Sequence, residues 1–266
     1  MRASLIPAVA GSSVALLAVL PSGGASGEDA GSAQTDAESN PCLGPDAKLL
    51  RCPDLQMRRP DDLYAEHTAR GHVVLQSKSD IKSRGEGPIE LHGKRIGKKT
   101  MSVTQRIYRT DGSHLDVPSK GTLRFKFIPG QGGYWKFANA ARFQLWSLDR
   151  DGNRMRLVQR GPKVYYCLRD LVRTRPSRRS PRSRVYPGCN QNPRKRRVTL
   201  GTSVGWSDVY PADYYEQYIN VSGLRGCFAF VLVADPKDHI YESREGNNEG
   251  QRIVRLPFRH GPQRCR

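Results

Sequence analysis

The chain has 266 residues, with 44 Lys and Arg against 25 Asp and Glu, for a formal charge of +19 at pH 7. A surplus of that size attracts polyanions and speeds their encounter at low salt. No recognised nucleic-acid-reading motif, phosphate-cradling glycine loop or Gly-x-Ser-x-Gly elbow accompanies it, so base-specific recognition, nucleotide hydrolysis and serine-hydrolase chemistry are not expected.

The first segment, residues 1–26, reads as a signal peptide: Arg2, an apolar run from Leu5 to Leu20, then small residues to Ser26. The run is too short and too rich in Ser, Ala and Gly to span a bilayer comfortably, and no later stretch is apolar enough, so a secreted, extracellular protein without a membrane span is expected. Residues 27–41 are acidic and poor in large apolar side chains, which predicts a flexible acidic linker. Residues 42–266 then form one β domain. Six cysteines in an exported chain imply disulfides, and six allow fifteen pairings. Chain proximity favours Cys42–Cys52, Cys167–Cys189 and Cys227–Cys265, with a pair left free or joining two chains as the alternative.

Short β-type runs fill the domain. His72–Ser77, Pro88–His92 and Ser102–Arg109 come first, the last alternating outward Arg with inward Val, Ile or Tyr as a half-buried strand does. Asp111-Gly112 offers a hairpin turn before Leu123–Phe127, and Asp151-Gly152 another between Arg142–Leu148 and Met155–Val158. Tyr218–Val221, Cys227–Val233 and Arg252–Leu256 complete an all-β pattern, for which a β-sandwich with long loops and disulfides is the natural architecture. Residues 173–197 differ. They hold ten Lys or Arg and no Asp or Glu, with Pro176, Pro181, Pro187 and Pro193 opposing regular structure, and so predict a mobile basic loop stapled by Cys167–Cys189.

Several segments in order resemble the lysyl oxidase family in its compact single-domain form. Gly87-Pro-Ile-Glu-Leu-His-Gly93 is similar to the family's early G-P-L-E-x-x-G, and Arg142-Phe-Gln-Leu-Trp-Ser-Leu148 to the strand after its copper site. Lys163-Val-Tyr-Tyr-Cys-Leu-Arg-Asp170 resembles its K-x-S-F-C-L-x-D. Tyr186–Cys189, Val204–Tyr210 and Ala234–Asn248 follow in the family's order. The resemblance covers roughly Cys52 to Phe258 and implies a lysyl-oxidase-type β-sandwich. The family's activity is the copper- and quinone-dependent oxidation of peptidyl lysine, protein-lysine 6-oxidase. By position, the resemblance makes Lys163 and Tyr210 the precursors of the lysine tyrosylquinone, and Asp208 the base that would take the substrate's proton.

The copper ligands of the family form an H-x-H-x-H run just ahead of such a strand. Counted back from Arg142-Phe143, those places fall on Gly132, Tyr134 and Lys136, none of which offers a neutral imidazole. No two of His67, His72, His92, His114, His239 and His260 share the i, i+2 spacing either; a set drawn from His72, His92 and His114 across neighbouring strands is the remaining arrangement. Neither copper nor quinone is therefore expected. Asp235, Asp238, Glu242, Glu245 and Asn248 gather on one turn, where they read as backbone-bonding turn formers, with calcium ligation as the alternative. Two functions compete: a degenerate family member binding an anionic extracellular polymer (a wall polymer or acidic polysaccharide), and an active copper amine oxidase acting on protein lysine or other primary amines.

Overall fold

Alternating apolar and polar side chains broken by glycine turns favour antiparallel ladders, because each strand can bury one face and wet the other. The computed structural model describes residues 40–261 and Cys265. The expected signal peptide and residues 27–39 of the expected linker lie outside the described residues. The last two linker residues are built into the fold: Asn40 accepts from the Cys42 backbone and donates to Glu242 and Glu245, and Pro41 opens a short 3-10 turn, Pro41–Leu43.

The strands run in chain order as β1 (Leu50–Arg51), β2 (Leu55–Met57), β3 (Asp61–His67), β4 (Val73–Ser83), β5 (Ile89–Gly97) and β6 (Thr100–Arg109). Then come β7 (His114–Ile128), β8 (Gly132–Ala138), β9 (Ala141–Leu148), β10 (Arg154–Arg160), β11 (Tyr165–Tyr166) and β12 (Val172–Arg173). The last are β13 (Arg197–Thr202), β14 (Trp206–Tyr210), β15 (Tyr218–Asn220), β16 (Gly226–Ala234) and β17 (Glu249–Leu256). The protein is all-β, and each strand expected from alternation is present. The sheets number three: β11-β8-β7-β6-β5-β13, with β1 beside β6; β10-β9-β16-β17; and a third in which β4 pairs β14 and β15 on one side, β2 and β3 on the other. Every pairing is antiparallel.

One core joins the three. Leu91, Met101, Leu123 and Phe137 of the first sheet, Phe143, Leu145 and Phe230 of the second, and Leu75 and Ile81 of the third are buried in one cluster. Each removes roughly 1.5–3 kcal/mol of apolar surface cost from water. In β6 the inward residues are Val103, Gln105 and Ile107; Tyr108 falls on the opposite face, where its hydroxyl donates to Glu90, so the expected inward place of the tyrosine is corrected by strict alternation. Both hairpin turns form, with Gly112 and Gly152 at φ 90° and 86°. Asp111 caps the first, and Asp149, not Asp151, caps the second by accepting from the Asp151 and Asn153 backbones.

All three disulfides pair as chain proximity favoured. The basic loop is also present but is not loose. Asp170, fully buried, accepts from the Val185 and Tyr186 amides on the loop and from the Ser203 amide and hydroxyl beyond it. Tyr186 donates to Glu90, Trp206 to the Pro181 carbonyl and Trp135 to the Asn192 carbonyl. Prolines deny this segment strands of its own, and side chains from the sheets take up its backbone groups instead. Only its ends are regular, Arg173 in β12 and Arg197 in β13.

Candidate functional site

Three chain segments bring the expected chemistry together. β14 presents Trp206, Asp208 and Tyr210 on one face, because residues two apart share a side. β8 likewise presents Gly132, Tyr134 and Lys136 together. Lys163 comes from the irregular connection between β10 and β11. They meet in a closed centre where Lys136, Lys163 and Tyr210 are each 1% exposed and Asp208 is fully buried. Lys163 Nζ stands 4.2 Å from the centroid of the Tyr210 ring, so the two residues singled out as quinone precursors are neighbours.

The rest of the centre was not foreseen. Tyr166 and Tyr214 each pack edge-on to Tyr210, at 4.8 Å between ring centroids. Lys163 Nζ lies 4.5 Å from the Tyr214 ring and 5.1 Å from Tyr166. Lys136 Nζ lies 5.2 Å from the Tyr210 ring, 5.4 Å from Tyr214 and 5.9 Å from Tyr134. Its Nζ donates to the Tyr214 hydroxyl at 3.5 Å. Two lysine amines thus share an aromatic cage whose ring faces attract cations. Tyr166 sat inside a quoted segment; Tyr214 had no signal, since nothing in its neighbours marks a tyrosine that turns back onto Tyr210.

The cage is short of negative charge. Asp208 is its nearest carboxylate, and burial raises its pKa to about 6 despite Arg169 and Lys136. Its Oδ2 accepts from the Leu168 amide, and Arg169 Nε stands 3.6 Å from Oδ1. Burial lowers Lys136 to about 8, with Asp208 partly offsetting it. Burial drives Lys163 well below the ordinary lysine value, and the Lys136 charge pushes it further down. Burial also holds the Tyr210 phenol well above its usual range, while its oxygen accepts from the Cys167 amide. At neutral pH the arrangement is one charged amine, one amine with a weakened hold on its proton, and a neutral phenol.

These donors do not fit a copper ion. The side chains facing Tyr210 offer one carboxylate already bonded to Leu168, two amines and two phenols, and no imidazole. Lys136 places its own positive charge where a ligand was counted. His72, His92 and His114 do not assemble into a substitute. His72 precedes β4 in the third sheet, His92 bonds Glu90 and Thr199, and His114 faces Asp116 and Tyr108. Among the described residues, no group of three His, Cys, Asp or Glu is placed to hold a metal. His239 packs on Phe137, which points to the opposite side of β8 from Lys136.

The carboxylate turn, expected to be made of backbone-bonding turn formers, is so only in part. Asp235, at φ 38°, accepts from the Ile240 amide as a turn former. Glu242 is different: it is fully buried, accepts from the Leu55 amide and from Asn248, and burial raises its pKa to about 9. Glu245 Oε2, Asn247 Oδ1 and Asn248 Oδ1 beside it are buried oxygens without a hydrogen-bond partner. Among the described residues no helix is long and apolar enough to cross a membrane. A scan of protein-family models returns no match to this sequence, and neither does a search of curated proteins.

Proposed function

We propose that this chain is a lysyl-oxidase-type protein that has left copper chemistry and serves as an extracellular binding protein for anionic polymers. One observation carries the reading: all ten Lys and Arg of residues 173–197 are exposed, and among the described residues only Arg179 forms an ion pair. Unpaired guanidinium groups held on a pinned loop keep their affinity for sulfate, phosphate and carboxylate, because little ordering is left to be done on binding. The adjacency of Lys163 and Tyr210 supports the family resemblance, and the Lys136 ammonium supports the loss of the metal. The competing reading, an active protein-lysine 6-oxidase, needs a substrate amine to touch Tyr210, which is 1% exposed. Retention on an immobilised anionic polysaccharide tests the proposal. Retention should fall steeply with salt and be lost when the arginines of 173–197 become glutamine; retention and salt dependence that survive the change overturn it.

A further inference from the structure

We propose that the cleft between Ser83–Glu86 and Arg175–Arg179 is a built site for an ester oxyanion, sulfate or phosphate, carried on a sugar or polyol unit of a polymer. The proposal deepens the polyanion reading above and rests on it. The cleft encloses about 650 Å³, within the usual range for a small-molecule site and ample for one such unit.

Its lining holds Arg84, Arg175, Arg178, Arg179 and Arg244 against two carboxylates, Asp54 and Glu86. Both carboxylates already have partners: Glu86 pairs Arg179 at 2.8 Å, and Asp54 accepts from Asn247 at 2.8 Å. Among the described residues, Arg84, Arg175, Arg178 and Arg244 form no ion pair. Arg84 instead donates to the Arg175 carbonyl at 3.5 Å, close enough that the Arg175 charge acts on it. Burial and that neighbour lower the Arg84 pKa. Asp80 and Asp54 offset that repulsion only in part, and a bound oxyanion would relieve the rest.

The cleft also carries an orphan donor. Ser83 is fully buried, lines the space, and its hydroxyl has no hydrogen-bond partner. A tetrahedral oxyanion offers what this set lacks: several acceptor oxygens spaced for guanidinium forks, with one left for a hydroxyl. The walls are fixed before any ligand arrives. The Gly205 amide donates to the Ser83 carbonyl, and the Arg175 amide donates to the Gly205 carbonyl, tying both walls to one residue. Gly205 sits at φ +78°, and a Cβ there would come within 2.3 Å of Ser180 Oγ and 2.6 Å of the Arg175 carbonyl, so the close approach requires glycine.

Calorimetry on the disulfide-bonded full chain, with a heparin-derived hexasaccharide in one arm and a glycerol-phosphate oligomer in the other, tests the site. The tighter arm identifies the ester. Arg84→Gln with Arg175→Gln should weaken that arm about tenfold or more, as expected for two lost charge-assisted contacts. Arg194→Gln with Arg196→Gln, the same charge removed from the loop outside the cleft, should cost about twofold, and Ser83→Ala about threefold. Arg84→Lys with Arg175→Lys keeps the charge and should still lose most of the affinity, which covers a misfolded glutamine pair. Equal losses from the two glutamine pairs, or full affinity in the lysine pair, overturn the cleft and leave diffuse binding by the loop. A wild-type chain that binds neither probe overturns the polyanion reading itself.

Discussion

Lys136→Met should make the protein more stable, although it removes a fully enclosed side chain and replaces it with one of similar length. Lys136 is 1% exposed and its amine is held at about 8, against 10.5 for an ordinary lysine, chiefly by burial. At roughly 1.4 kcal/mol per pH unit, carrying that charge into the centre costs the fold about 3 kcal/mol at neutral pH. The cost is fully present below pH 8, where folded and unfolded chains both bind the proton. It fades between pH 8 and 10.5, where only the unfolded chain does, so this residue makes stability rise with pH across that window. Against the gain stands the attraction of Nζ to the rings of Tyr210, Tyr214 and Tyr134, worth about 1–2 kcal/mol in a dry site. The net expectation is about 1–2 kcal/mol of added stability at pH 7, a rise of roughly 2–8 °C in melting temperature for a domain of this size. The comparison is wild type against variant by chemical denaturation at several pH values from 7 to 10, because Glu242, held at about 9, titrates under both. The gap between the two curves should narrow as pH rises. A variant less stable at pH 7, with a gap that does not change with pH, would refute the picture of a charge held in a dry cage.

After copper loading in air, a peptide map of the protein treated with phenylhydrazine should recover Lys163 and Tyr210 in separate, unmodified peptides. A single cross-linked, hydrazine-labelled peptide would show that quinone chemistry proceeds at this centre. Asp170→Asn should cost about 2–4 kcal/mol, since a neutral amide cannot accept from the Val185, Tyr186 and Ser203 amides as a carboxylate does. The same change should speed tryptic cleavage at Arg178 and Arg182; unaltered cleavage would mean that the loop is held elsewhere.

Strands with one wet face were legible because alternation marks them, as in β6, β7 and β9, whereas β16 was legible as a continuous apolar run, Phe228 to Leu232 all being buried. β8 was not read as a strand. Its residues 135–138 are buried without interruption, so no period of two reaches the sequence, and Gly132 and Gly133 have no side chain to show one. β3 failed for the opposite reason, since only Leu63 of its seven residues is buried. β13 does alternate, with Val198 and Leu200 inward, but its start is hidden in the arginine run. At the centre, the nearness of Lys163 and Tyr210 came from motif order, not from any physical period. Lys136 could be named as a displaced ligand but not as a buried cation, because lysine is almost never enclosed and composition gives no warning when it is. The cleft at Ser83 and Arg175 was illegible altogether, since its two walls are far apart in the chain and meet only on folding, through Gly205, the Arg84–Arg175 hydrogen bond and the Glu86–Arg179 pair.

Residues 167–170 face two ways at once: the Cys167 and Leu168 amides bond Tyr210 and Asp208 in the interior, while Asp170 holds the outer loop. In terms of descent, this makes Tyr210 and Asp208 expensive to discard for reasons unconnected with any reaction. Whatever chemistry the centre performs, a change at either residue would take a partner from a buried backbone amide. A tyrosine and an aspartate placed in this way are also joinery.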